Sequence, residues 1–216
     1  MANRTELSKD ETAESYDALA SKYDVRWKGY LENTHQKLLG QLIIHPSDRV
    51  LDISAGTGYL AKYIQQNDRE FDEFVLNDVS SEMLGKAREK VGSDDRYRFT
   101  GYSAEQMSFE TNSFDRVISM NAFHNYPNQE AVIREVYRVL KPGGMFYLLD
   151  WNKEGLFRVV NYWIDKLTSE TIQTVSVDDA EALLSSLHFN IKNKQTWHYR
   201  YWNLFLITVN KPEQGK

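Results

Sequence analysis

The chain predicts an α/β fold, with helices packed on a parallel sheet, and three observations carry that prediction. From Arg49 onward, short apolar runs alternate with amphipathic segments, as strands do when crossover helices join them. Five such runs precede residue 150: Val50 to Ile53, Glu73 to Leu76, Tyr97 to Thr100, Arg116 to Met120 and Met145 to Leu149. The first of them passes straight into the glycine turn Ala55-Gly56-Thr57-Gly58, which opens a helix.

Length and composition agree with this class. A chain of 216 residues with 41% hydrophobic content buries roughly 70% of its unfolded surface, so neither a disulfide nor a metal is needed to hold it together. The absence of cysteine removes disulfides, thiolate metal clusters and a cysteine nucleophile. A net charge of −5 offers no field for gripping phosphates, so nucleic acid is not an expected partner. Met1 to Asp10 is polar and charged, and no apolar run approaches the roughly 20 residues of a membrane span. Neither a secretory leader nor a transmembrane segment is expected, and the expected address is cytoplasmic.

Residues 1-46 read as a helical cap. Ala18, Leu19, Tyr23 and Trp27 recur at helical intervals, and a second helix runs from Tyr30 to Ile44 until Pro46 stops it. Tyr16-Asp17 and Tyr23-Asp24 repeat seven residues apart, which puts both tyrosines on one side of a helix. In residues 47-150, the core, Asn128 caps the clearest helix of the chain. Its Val132, Ile133, Val136, Val139 and Leu140 share a face, and Lys141-Pro142-Gly143-Gly144 ends it. Residues 151-216 begin with an aromatic stretch holding Trp151, Phe157, Tyr162 and Trp163, followed by a helix from Val177 to Leu187 that Ser176 and Asp179 cap. Two closing runs, Phe189 to Lys192 and Asn203 to Val209, are expected to pair as an antiparallel hairpin. No repeat or linker divides the chain, so a single domain over 1-216 is expected.

The glycine turn also predicts a ligand site. Gly56 and Gly58 let a ligand approach the backbone, and the helix that follows offers free amide hydrogens. About twenty residues later Asp78 ends the run Phe74-Val75-Leu76, where a carboxylate accepts hydrogen bonds from a ribose diol. Gly56-x-Gly58-x-x-Ala61 satisfies the dinucleotide fingerprint as well, which admits an NAD-dependent oxidoreductase. Asp52 opposes it. A carboxylate at the end of the first strand repels a pyrophosphate about 4 Å away by roughly 4 kcal/mol before screening, whereas it attracts a ligand carrying a sulfonium and an ammonium. S-adenosylmethionine is such a ligand.

At this point the sequence resembles the class I S-adenosylmethionine-dependent methyltransferases, especially the small-molecule group related to the ubiquinone/menaquinone and phospholipid methyltransferases. Four ordered blocks carry the resemblance: Val50-Leu51-Asp52-Ile53-Ser54-Ala55-Gly56-Thr57-Gly58, Asn77-Asp78-Val79-Ser80-Ser81-Glu82-Met83-Leu84, Ser113-Phe114-Asp115-Arg116-Val117-Ile118 and Arg138-Val139-Leu140-Lys141-Pro142-Gly143-Gly144. It implies a doubly wound, Rossmann-like sheet of about seven strands with the last one antiparallel, and a ligand at the strand carboxyl ends. It further implies that cap tyrosines such as Tyr16 and Tyr23 close over the cofactor. Val79 and Met83 are expected at the adenine, and Ser103, Ala104 and Asn121 are expected on the same site. Two positions depart from the family pattern: Ser54 replaces a usual glycine, and Ser103 replaces an aspartate that binds the adenine amino group.

The expected function is methyl transfer to an unidentified small-molecule acceptor, with release of S-adenosylhomocysteine. A catalytically silent S-adenosylmethionine-binding regulatory protein is the alternative that Ser54 and Ser103 motivate. The oxidoreductase reading lacks the Tyr-x-x-x-Lys pair of short-chain dehydrogenases. Asn121-Ala122-Phe123-His124 also stands where nucleic-acid amino-methyltransferases carry Asn/Asp-Pro-Pro-aromatic. His124, just past the fourth strand, is the candidate proton acceptor; its structural alternative is a loop histidine satisfied by neighbouring groups. His35, His45 and His188 lack metal-ligand spacing, so no metal is expected, and His188 fits a turn that the family fills with glycine. Trp197-His198-Tyr199-Arg200-Tyr201-Trp202 adds aromatic surface that either lines an acceptor pocket or packs the hairpin.

Overall fold

The computed structural model describes residues 16, 17, 20, 22–154 and 172–213. Its strands are β1 (Arg49–Asp52), β2 (Glu73–Asn77), β3 (Tyr97–Thr100), β4 (Phe114–Met120), β5 (Leu140–Trp151), β6 (Asn190–Tyr199) and β7 (Trp202–Asn210), and they form one sheet in the order β3-β2-β1-β4-β5-β7-β6. β1 to β5 pair in parallel, and β7 runs antiparallel to both β5 and β6. The helices are α1 (Tyr23–Leu39), α2 (Tyr59–Gln66), α3 (Ser81–Val91), α4 (Gln129–Val139) and α5 (Val177–Ser186). This is the doubly wound sheet that the sequence predicts. Among the described residues no helix is long and apolar enough to cross a membrane.

Both faces of the sheet are buried, because successive strand residues point to opposite sides and both sets are apolar. Val50, Phe74, Leu76 and Ile118 pack with Leu38 of α1, Leu60 and Ile64 of α2, and Leu84 and Ala87 of α3. Their neighbours Leu51, Val75 and Val117 pack on the other side with Val132, Ile133 and Val136 of α4 and Leu184 of α5. β1 lies between β2 and β4, so the strand order reverses there and a crevice opens at the carboxyl ends of these three strands.

The cap differs from expectation. Among the described residues one helix, α1, runs unbroken from Tyr23 through Tyr30, where a second helix was expected to begin, and it ends at Leu39 rather than near Pro46. Gly40 and Gln41 make a turn there, with Gly40 N donating to Gln36 O, and Leu42 is buried beyond it. Tyr16 and Asp17 occupy a helical turn ahead of α1, and the rings of Tyr16 and Tyr23 still meet at 6.5 Å. Ala18, Leu19, Phe157, Tyr162 and Trp163 lie outside the described residues.

Two further boundaries move. Asn128 caps α4 as expected, its side chain accepting from Ala131 N, but the helix stops at Val139 because Leu140 turns extended. Lys141-Pro142-Gly143-Gly144 therefore belongs to β5. The hairpin strand β6 is longer than the expected Phe189 to Lys192 and carries Trp197 and His198 to its tip. It is the sheet edge, so its polar, half-exposed sequence hides its length, whereas β7 is buried between two partners. The Ser176 and Asp179 capping box of α5 forms as expected. His188 adopts φ 67°, the left-handed conformation that glycine favours.

Candidate functional site

The glycine turn brings the carboxyl ends of β1 and β2 together. Gly56, at φ 52°, donates its N–H to Asp78 Oδ2 at 2.8 Å, and Ser80 N donates to Asp78 Oδ1 at 2.9 Å. One carboxylate thus ties both loops while keeping lone pairs for a ligand. A cavity opens beside it. Ser54, Gly56, Asp78, Val79, Met83, Ser103, Ala104 and Asn121 line it from the core, and Tyr16 and Tyr23 line it from the cap. Ten of the residues expected at a donor site therefore meet on one cavity. A Cβ placed on Gly56 meets no atom within 4 Å, which leaves the backbone open to a ligand there.

Asp52 and Ala55 line a smaller cavity that shares Tyr23, Ser54, Gly56 and Asn121 with the first. Asp52 is 2% exposed, and its Oδ1 has no hydrogen-bond partner among the described residues. Burial, with the charge of Asp78, pushes its carboxyl up to about 7. A buried acceptor without a donor calls for a cationic or N–H-bearing group to satisfy it. Gly58 has a different role from the one expected. It lines neither cavity; at φ 70° it starts α2, and an added Cβ comes within 2.8 Å of Ala87 Cβ. This glycine lets α2 and α3 approach.

The two departures from the family pattern are both accommodated. The Ser54 hydroxyl donates to Ile53 O at 2.8 Å, so it accepts from the Tyr126 hydroxyl 2.7 Å away. Ser103 accepts a long 3.4 Å bond from Glu105 N, which leaves its hydroxyl available to the cavity.

Side chains of the cap fasten onto three separate core loops. Asp17 accepts from the Ser80 hydroxyl, Asp24 accepts from the Thr57 hydroxyl at 2.6 Å and pairs with Lys90, and Asn125 donates to the Tyr16 hydroxyl at 2.7 Å. Burial, with the charges of Asp78, Asp24 and Asp150, pushes the Tyr23 phenol up to about 12. Sequence reading missed Tyr30, which donates to Asn121 Oδ1 at 2.7 Å and accepts from Trp151 Nε1 at 2.8 Å. Its signal was present: Tyr30 follows Tyr23 by the same seven residues that separate Tyr16 and Tyr23.

His124 does not line the cavity although Ala122, Asn125 and Tyr126 around it do. It is 5% exposed in the 3-10 turn Phe123–Asn125, with Nδ1 2.5 Å from Asp150 Oδ1 and its ring stacked on Trp151 at 3.8 Å. Its satisfying partner is the carboxylate of Asp150 at the end of β5. Among the described residues no cluster of His, Asp and Glu is arranged to hold a metal.

Comparison with known proteins identifies the domain. A methyltransferase-domain model matches residues 51–148, spanning the glycine turn and Asp78. The ubiquinone/menaquinone biosynthesis C-methyltransferase UbiE of Coxiella burnetii is 28% identical over 166 residues, 70% of this chain and 64% of that protein. The UbiE protein of Ectopseudomonas mendocina is 31% identical over 153 residues, 68% of this chain and 60% of that protein. Residues 51–148 of this chain therefore carry a methyltransferase domain. The chain spans less than two thirds of the length of these methyltransferase relatives. Solved structures share the methyltransferase fold. A putative methyltransferase in complex with the Haloferax volcanii Trm112 activator superposes with TM-score 0.81 at 20% identity, covering 92% of this chain and 98% of its own. A Haemonchus contortus phosphoethanolamine N-methyltransferase bound to S-adenosylhomocysteine gives TM-score 0.75 at 17% identity, covering 91% of this chain and 58% of its own.

Proposed function

We propose that this protein transfers the methyl group of S-adenosylmethionine to a small-molecule acceptor and releases S-adenosylhomocysteine. The observation that carries this reading is the pair of carboxylates, buried Asp52 and half-buried Asp78, flanking an open Gly56, with Asp52 Oδ1 lacking a donor among the described residues. A pyrophosphate at this place meets two negative charges, while the ammonium end of S-adenosylmethionine satisfies Asp52 and its ribose hydroxyls donate to Asp78. Bound S-adenosylmethionine supplies a methyl carbon activated by an adjacent sulfonium. Val79, Met83, Ala104 and Ser103 receive the adenine, and Tyr16 and Tyr23 cover the ligand, orienting donor and acceptor and excluding water.

The acceptor is proposed to lie beyond Asn121, toward the aromatic group of Tyr30, Trp151 and Trp202. His124 is its proton acceptor in this reading. An ionised Asp150 only accepts, so the proton sits on Nδ1 and the lone pair on Nε2, the tautomer a general base requires. In this reading residues 1-46 serve as cap, 47-150 as donor core and 151-216 as the acceptor side. The net charge of −5 supports an acceptor other than nucleic acid.

Isothermal titration with S-adenosylhomocysteine, with NAD in parallel, tests the donor class. Preferential binding of S-adenosylhomocysteine is expected, and binding of NAD alone overturns the reading. A methyl-transfer screen across amines, phenols and thiols then separates an enzyme from a silent binding protein, which binds but never turns over.

A further inference from the structure

We propose that His35 is a donor-binding residue whose imidazole Nε2 accepts a hydrogen bond from the α-ammonium of an S-adenosyl ligand, beside the carboxylate of Asp52. The inference rests on the donor reading above and assigns a residue of the cap helix to it. His35 is 4% exposed on α1, yet its ring lines the smaller cavity together with Asp52 and Gly56. Its Nδ1 lies 2.6 Å from the carbonyl of Leu31, one turn back. A carbonyl oxygen only accepts, so Nδ1 carries the hydrogen and Nε2 holds a lone pair. Nε2 has no hydrogen-bond partner among the described residues. Tyr59 and Tyr63 pack against the ring at 4.9 and 5.9 Å and hold its orientation.

The cavity thus presents the unsatisfied Oδ1 of Asp52 and the side chain of His35, whose hydrogen bond is made by Nδ1, and no lysine or arginine lines it among the described residues. Burial holds the His35 imidazole down at about 4, and the positive charge of Lys90 adds to this while Asp24 opposes it. The ring is therefore uncharged at neutral pH and does not repel a cation. An ammonium brings three N–H donors and one positive charge, which matches a carboxylate and a fixed lone pair; a carboxylate ligand meets acceptors only.

The test compares the unmodified protein with His35→Asn, whose amide nitrogen can still donate to the Leu31 carbonyl while the Nε2 acceptor is gone. Three ligands are titrated: S-adenosylhomocysteine, its deaminated 2-oxo analogue, and 5′-methylthioadenosine, which lacks the whole amino-acid end. Loss of S-adenosylhomocysteine affinity by about tenfold or more is expected, as for a hydrogen bond to a charged group, with the other two ligands changed less than about twofold. An equal loss for all three makes His35 merely structural and overturns the proposal. A loss shared by S-adenosylhomocysteine and the 2-oxo analogue assigns the residue to the carboxylate and also overturns it, as does unchanged affinity throughout. If the unmodified protein binds neither S-adenosylhomocysteine nor methylthioadenosine, the donor reading itself fails, and that result is visible before any variant is made. A second measurement does not depend on the variant folding: the ¹⁵N resonance of His35 Nε2 is expected to shift on adding S-adenosylhomocysteine and to stay put with methylthioadenosine, and the same shift with both ligands overturns the assignment.

Discussion

His124 Nδ1 and Asp150 Oδ1 stand 2.5 Å apart, and the same carboxylate accepts the backbone N–H groups of Phe123 and Trp151, each at 2.6 Å. Asp150 is 1% exposed at the end of β5, so one buried carboxylate fastens the turn after β4 to the neighbouring strand and orients the imidazole on it. The arrangement has the logic of a base held by a third group. The ¹⁵N spectrum is expected to show His124 protonated on Nδ1, the nitrogen that faces Asp150. Asp150→Asn should mix the tautomers and, once an acceptor is found, lower kcat by about 100-fold or more while S-adenosylhomocysteine affinity holds. A single Nε2-protonated form in the unmodified protein contradicts the base role.

Asp52 makes donor binding depend on pH. Its folded carboxyl titrates near 7, above its ordinary value of 3.8, with burial as the main cause and Asp78 next. The folded chain therefore holds a proton that the unfolded chain releases, and the contribution to stability is present at low pH and lost as pH rises toward 7. Binding an ammonium has the opposite requirement, because Asp52 must ionise. Affinity for S-adenosylhomocysteine is expected to fall by up to about tenfold per unit as pH drops below 7, with proton release seen by titration in buffers of different ionisation enthalpy. Asp52→Asn should bind more weakly and flatten the profile; an unchanged slope in that variant assigns the pH dependence elsewhere.

The two glycines of the turn separate structure from binding. Gly58→Ala forces a side chain onto φ 70° and to within 2.8 Å of Ala87 Cβ, for a loss of about 2 kcal/mol or more, or a Tm drop of about 4 °C or more. Gly56→Ala carries the left-handed strain but meets no neighbour, so its stability loss should be near 1 kcal/mol while ligand affinity suffers most. Thermal melts and titrations on both variants check this; equal melting losses contradict the division.

Ser103→Asp restores the acid usual in the family at a position that already lines the cavity. An ionised acceptor forms a hydrogen bond roughly twice as strong as a hydroxyl does. S-adenosylhomocysteine affinity is expected to rise about five- to tenfold, and S-inosylhomocysteine, which lacks the amino group, should gain nothing. A gain shared by both ligands places the effect away from the adenine.

The cap can be tested through its fastening to the glycine turn. Asp24→Ala removes the acceptor of Thr57 and the partner of Lys90, which are 33 and 66 residues away in the chain. Melting should change by less than a few degrees, since the Asp24 side chain is a third exposed and such pairs contribute little. Dissociation of S-adenosylhomocysteine, followed by stopped-flow fluorescence, is expected to accelerate severalfold, and an unchanged off-rate argues against a closing role.

By itself the sequence determined the order of strands and helices, the glycine turn and the two acids that frame it. These are local matters: apolar alternation selects strands, Asn128 and Ser176 cap their helices, and Asp52, Gly56 and Asp78 fall at the ends of adjacent parallel strands. The continuity of α1 from Tyr23 to Leu39 and the length of β6 escaped because polar, edge or surface segments carry a weak pattern. Only the tertiary structure decided which side chains meet. Tyr30 reaches Asn121 across 91 residues, His124 reaches Asp150 across 26, and His35 joins Asp52 on one cavity because α1 packs against α2 and β5. Gly58 looked like a ligand contact until the packing of α2 on α3 claimed it. The physical reason is the same in each case: a residue's backbone preference is written in its immediate neighbours, whereas its partner is chosen by the crossovers and strand order that fold distant loops onto one crevice.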